Sequence, residues 1–156
     1  MPYGLRFTSD GTELVVVDGD DGLSVFRVED GSFVRRVATG LSYPWDVEEC
    51  KGGWLVACCG SCTIEFVGGD EDGGGVGRAR LGTWGSGDGE FTNPSALALV
   101  PGLGLVVREN SGMRLQFFAT PDAIAMASMS EHRVGWMVAV ARGVRCRTLF
   151  KAVVPA

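Results

Sequence analysis

Short apolar runs separated by glycine-containing turns recur along this chain, and they recur in a fixed order. Pro2-Tyr3-Gly4-Leu5 is followed by Leu14-Val15-Val16-Val17 and then Leu23-Ser24-Val25-Phe26. The same succession returns as Pro44-Trp45-Asp46-Val47, Trp54-Leu55-Val56-Ala57 and Thr63-Ile64-Glu65-Phe66. It returns again as Pro94-Ser95-Ala96-Leu97, Leu105-Val106-Val107 and Met113-Arg114-Leu115-Gln116-Phe117. Each run is long enough for one strand and too short for a helix, and the third run of each set alternates apolar and polar residues as a half-buried strand does.

The three leading prolines are 42 and 50 residues apart (44 minus 2, 94 minus 44). Recurrence at such a period signals stacked supersecondary units, each burying a face against its neighbour. A fourth strand is expected at Phe33-Val34-Arg35-Arg36-Val37 in the first unit and at Arg78-Ala79-Arg80-Leu81, with Trp84, in the second. Four short strands per unit is the composition of a propeller blade. A β-meander or sandwich is the alternative, but sandwich strands need not repeat in phase. The expected fold is all-β, a partial, open β-propeller of about three four-stranded blades at 1–40, 41–84 and 85–122. Residues 123–156 are expected to form a degenerate blade or irregular tail, with helix-friendly residues at 123–129 and a candidate strand at Trp136-Met137-Val138-Ala139-Val140.

The third unit carries a resemblance. Gly85-Ser86-Gly87-Asp88-Gly89-Glu90-Phe91 leads through Pro94 into strands ending at Leu115-Gln116-Phe117-Phe118. This resembles the NHL repeat of β-propellers, where a Gly-x-Gly-x-Gly-x-Phe turn connects successive blades. Arg108-Glu109-Asn110-Ser111-Gly112 occupies the place of that family's Asp-x-x-Asn-x-Arg hairpin; Glu109 and Asn110 depart from it, and Arg114 falls where its arginine stands. The resemblance implies a non-catalytic module that presents loops to a protein partner. A second reading is an enzyme of the six-bladed propeller group, a lactonase-like hydrolase or a lyase, with a metal held by His, Asp, Glu or Asn. The single histidine, His132, has no matched ligand set around it in the sequence, so no catalytic residue, metal or cofactor is assigned.

Composition and charge narrow the partners. The net charge of −5 disfavours a grip on nucleic-acid phosphates, which needs clustered Lys and Arg. Twenty-four glycines suit a fold dense in tight turns. No apolar run reaches the length of a membrane span, and the N-terminus lacks a basic-then-apolar leader, so an intracellular location is expected. Five cysteines, an odd number, are expected to be reduced thiols.

The candidate interaction loops are Asp18, Asp20 and Asp21 in the first unit, Asp88 and Glu90 in the connecting turn, and Arg108, Glu109, Asn110 and Arg114 in the third hairpin. Read as a calcium loop from Asp18, the fifth, sixth and twelfth positions hold Gly22, Leu23 and Glu29, which fails the EF-hand pattern. Cys59 and Cys62 have C-x-x-C spacing without a second pair; Cys58 is expected to continue the strand's buried face while Cys59 and Cys62 occupy the turn. The acidic, glycine-rich insertion at 67–77 lacks the phosphate-loop lysine. Three units fall short of the roughly four to eight blades of a closed ring. The chain is therefore expected to be part of a longer product, to pair with a copy, or to stand as an open arc, with self-association through exposed blade edges.

Overall fold

The computed structural model describes residues 1–19, 22–50, 52–68, 78–100, 104–119 and 137–142. The expected Asp20, Asp21, most of the acidic insertion (69–77), residues 123–129, His132 and Cys146 lie outside them. Among the described residues there are twelve strands: β1 (Pro2–Phe7), β2 (Glu13–Asp18), β3 (Gly22–Arg27), β4 (Phe33–Ala38), β5 (Pro44–Cys50), β6 (Gly53–Cys58), β7 (Thr63–Gly68), β8 (Arg78–Leu81), β9 (Pro94–Val100), β10 (Gly104–Glu109), β11 (Arg114–Ala119) and β12 (Met137–Arg142). They form three four-stranded antiparallel sheets in simple chain order, β1-β2-β3-β4, β5-β6-β7-β8 and β9-β10-β11-β12. No helix occurs among the described residues.

Pro2, Pro44 and Pro94 each open the first strand of a sheet, an edge position where the missing N–H is not needed for the ladder. The residue before each proline accepts a hydrogen bond from the residue after the second strand. Gly19 N–H donates to Met1 O (2.9 Å), Cys59 N–H to Tyr43 O (3.0 Å) and Asn110 N–H to Asn93 O (3.0 Å). One backbone bond thus closes the same corner three times, which is the phased repeat expressed in geometry.

β12 lies antiparallel along β11, from Arg114↔Arg142 to Ala119↔Met137. β12 overlaps the candidate strand at residues 137–140 and is the outer strand of the third sheet.

Neighbouring sheets meet mainly through their first two strands, β1 and β2 against β5, then β5 and β6 against β9. They diverge toward their outer strands, as wedge-shaped blades do. One core joins Val15, Val17, Leu23 and Val25 of the first sheet to Val47, Trp54, Val56, Cys58 and Val67 of the second. The other joins Leu55, Ala57, Ile64 and Phe66 to Phe91, Leu97, Leu105, Val107 and Phe118 of the third. The middle sheet is packed on both faces, which is why Trp54 through Cys58 are all buried and why that run is continuously apolar rather than alternating.

Ser24, Glu65 and Gln116 share one register position, opposite Val16, Val56 and Val107. Gln116 is fully hydrogen-bonded there, whereas Glu65 is 1% exposed and its two carboxylate oxygens have no hydrogen bond among the described residues. Its compensation is an ion pair to Arg80 Nε at 3.3 Å, whose own side chain is largely in solvent. A buried carboxylate so weakly matched costs more than it returns. Glu65→Gln is expected to stabilise the chain by about 1 kcal/mol in urea unfolding, with an unchanged slope; a loss of stability would show that the Arg80 pair outweighs the burial.

Candidate functional site at the turn end of the blades

Because every sheet is a meander beginning at its proline, the start of the first strand, the second turn and the loop entering the blade all fall at one end of the array. The described members of the candidate set gather there. Asp18 closes β2, Arg108 and Glu109 close β10, Asn110 sits in the following turn, Arg114 opens β11, and Asp88 and Glu90 lie in the loop from β8 to β9. Asp88, Arg108 and Asn110 are exposed, and Arg108 donates to Asn110 Oδ1 at 2.6 Å. The same end carries Met1, Tyr3, Tyr43, Trp84 and Met113, all exposed.

Glu109 and Arg114 do something other than face solvent. Both are buried beside Gln116, with Arg114 Nε donating to Glu109 Oε1 at 2.5 Å and Gln116 Nε2 to the same oxygen at 2.7 Å. The second oxygen, Oε2, accepts from Thr92 N–H (2.6 Å) and Thr92 Oγ1 (2.9 Å). The remaining donors of Arg114 reach the carbonyls of Ser86 (2.6 Å), Gly87 (3.2 Å) and Glu90 (2.7 Å), while Gln116 donates to Glu90 O and accepts from Gly89 N–H. The three side chains are a clasp that fixes the Gly85–Phe91 turn onto the third sheet. Gly82, with φ of 81°, lets that loop pass over Phe91, whose ring a Cβ would strike. Burial alone would push the Glu109 carboxyl up, but the bonds from Arg114, Thr92 and Gln116 outweigh it and hold it below the ordinary glutamate value.

A second set of polar ties runs between first strands. Asp46 accepts from Leu97 N–H (2.8 Å) and Glu48 from Leu99 N–H (3.4 Å), so carboxylates of β5 cover the open edge of β9. Glu48 also pairs with Arg6 of β1, and Glu49 accepts from Ser9 N–H at 2.6 Å. Gly4 allows the approach of β1, since a Cβ there would lie 2.8 Å from the Cα of Asp46. Sequence reasoning missed Arg6, Asp46 and Glu48. The available signal was the alternation Trp45-Asp46-Val47-Glu48, which places two acids on one face of a strand otherwise expected to pack.

The cysteine turn follows its expected layout. Cys58 is fully buried at the end of β6, and Cys59 and Cys62 are half-buried in the turn, where Cys62 Sγ donates to Cys59 O at 3.3 Å. Desolvation raises the Cys58 thiol to about 12, with the Glu65 charge adding to it, and raises Cys50 to about 12, aided by Glu49. Among the described residues no group of three or more His, Cys, Asp or Glu is placed to hold a metal.

Two outcomes are expected. Glu109→Gln should cost about 3 kcal/mol at pH 7 by leaving Arg114 buried against a neutral partner. A carboxyl depressed in the folded state contributes stability that is complete above its unfolded value, near 4.5, and fades as pH falls through the lower folded value. The gap between wild type and variant in chemical denaturation should accordingly narrow below that pH; a constant gap would rule out the ionised clasp. At pH 8 an alkylating reagent should leave Cys50 and Cys58 unmodified until the chain is unfolded, because thiolate, not thiol, reacts. Peptide mapping that finds Cys58 labelled in the native protein would contradict its burial.

No protein-family model matches the chain, and no curated protein matches it in sequence. Solved structures do. A "putative 6-phosphogluconolactonase" from Bacteroides fragilis aligns with a TM-score of 0.58 at 18% identity, over 79% of this chain and 36% of its own length. Hydrazine synthase of Kuenenia stuttgartiensis aligns with a TM-score of 0.54 at 18% identity, over 76% of this chain and 33% of its own. The chain spans about a third of the length of either. Proteins as different as these share with it an arrangement of antiparallel sheets, and at this identity the likeness speaks to fold. The chain is an open run of three four-stranded β-propeller blades.

Proposed function

We propose that the chain is a non-catalytic docking module of NHL-repeat type, which presents its turn end to a protein partner. The observation that carries this reading is a set of backbone outliers. Tyr43 (φ 48°), Asn93 (φ 65°), Cys62 (φ 54°) and Met113 (φ 45°) are the non-glycine residues with positive φ among the described residues, and all four lie at that end. They fall in phase: Tyr43 and Asn93 directly precede a proline, and Cys62 and Met113 directly precede a third strand. A left-handed side-chain residue costs on the order of 1 kcal/mol, and such strain concentrates at binding surfaces. Exposed Tyr, Trp and Met among charged neighbours give this end the composition of an interface core with a polar rim. Glu109 and Arg114, by contrast, are engaged with the turn that leads into β9, and Asp46 with a backbone N–H of β9. The NHL reading is supported by the Gly85–Phe91 turn and by Arg114, which stands where the family's arginine does and binds that turn.

A second reading, a hydrolase of the six-bladed or related propeller group, is the one the likeness to the Bacteroides fragilis protein favours. Arg6, Asp46 and Glu48, on first strands nearest the blade axis, are the residues of this chain that would contribute to it.

The experiment that separates the two uses immobilised chain and an extract of its source cells. Under the docking reading a protein is retained, and retention falls at least tenfold in Trp84→Ser/Met113→Ser, both at exposed positions, with the melting temperature unchanged. Saturable hydrolysis of 6-phosphogluconolactone that disappears in Glu48→Gln would replace the docking reading with the hydrolase.

A further inference from the structure

The two ends of the blade array carry complementary open faces. On the first sheet, pairing places Leu5, Phe7, Leu14, Val16, Phe26 and Phe33 on one face. By register the first five correspond to Leu97, Leu99, Leu105, Val107 and Phe118 of the third sheet, which pack against the second sheet. In the third sheet Leu97 is 5% and Leu105 1% exposed; in the first, Leu5 is 59%, Phe7 54% and Phe33 59% exposed. The same residue types at the same positions are buried where a preceding sheet covers them and open where none of the described residues does.

The opposite face of the third sheet is its counterpart. Val106, Leu115 and Phe117, half-buried here, correspond to Leu55, Ile64 and Phe66, with which the second sheet packs on the third and which are buried there. Ala98 lies beside Val106 on that face and is exposed. Arg108 takes the place of Ala57. Arg108 stands at the turn end of this face, and the Asp18–Arg36 ion pair at the turn end of the first sheet's open face.

We infer that a second copy of this chain covers the first sheet's open face with its third sheet, repeating the blade-to-blade contact already made twice within the chain. The contact is head-to-tail, and a head-to-tail contact either closes into a ring or grows without limit. The described sheets of two copies number six, within the roughly four to eight that close, so this chain with its copy is expected to close as a dimer. This inference does not rest on the turn-end reading, since the apolar residues that carry it, Leu5, Phe7, Ala98 and Val106, lie on the sheet faces.

Light scattering on the purified chain tests it. The expected mass is twice the 16.5 kDa of one chain, without further growth on concentration. Leu5→Glu on the head and Ala98→Glu on the tail, both at exposed positions, should each raise the dimer dissociation constant at least tenfold with unchanged circular dichroism. An equimolar mixture of the two variants, which retains one intact head and one intact tail, should recover association. Should Leu5→Glu unfold, Phe7→Lys on the same face takes its place. A monomeric wild type, as when a blade of another polypeptide is the true occupant, overturns the inference. So does a dimer untouched by Ala98→Glu, which would join two heads, or a mass that climbs without limit.

Discussion

A four-stranded sheet that is apolar on both faces is unstable by itself and has to be flanked on both sides. The second sheet meets that condition, with Trp54, Val56 and Cys58 turned toward one neighbour and Leu55, Ala57, Ile64 and Phe66 toward the other. Its position fixes the other two sheets and makes the array a succession of wedges rather than a flat layer. The hydrophobic effect supplies the attraction but no register, because apolar contact is non-directional. Register comes from the polar ties at the first strands. Asp46 and Glu48 reach across to backbone N–H groups of β9, and Glu48 reaches back to Arg6, so one strand holds both neighbours. These carboxylates also close a strand edge that would otherwise invite pairing with foreign strands.

The Glu109–Arg114–Gln116 clasp solves a different difficulty. A loop rich in glycine loses a large conformational entropy on ordering, and the Gly85–Phe91 turn has little side chain with which to offset it. The third sheet provides the missing bonds, and the fully buried Phe91 anchors the far end of the turn. At the corresponding position of the second sheet, Glu65 has no hydrogen bond among the described residues. The two positions show that one repeat framework tolerates both a matched and a poorly matched polar residue, provided the surrounding apolar rows are kept.

Much of the fold was legible in the sequence because its determinants are local. Proline at the start of a sheet, a glycine-bearing turn and an alternating third run all lie within one unit, and their phase is visible without tertiary knowledge. Arg114 and Glu109 were legible as a hairpin pair, though as loop candidates and not as a buried clasp, because their acceptors at Ser86, Gly87 and Glu90 come from the preceding loop. Asp46, Glu48 and Arg6 were not legible as a set, since they meet across units more than 40 residues apart in sequence. β12 was hard to place for a related reason: β11 ends at Ala119 and its partner begins at Met137, with no tight-turn signal to mark a hairpin.

The corner bond from the residue after each second strand to the carbonyl before each proline uses main-chain atoms alone. Met1, Tyr43 and Asn93 supply that carbonyl, and Gly19, Cys59 and Asn110 supply the N–H, so the bond itself asks for no particular side chain, although at Gly19 a Cβ would lie 2.5 Å from Met1 O. Scaffold and inscription are thereby separated: what the tips display can be rewritten blade by blade while the frame beneath stays as it is. A lineage built on such corners is free to change its tip residues without refolding.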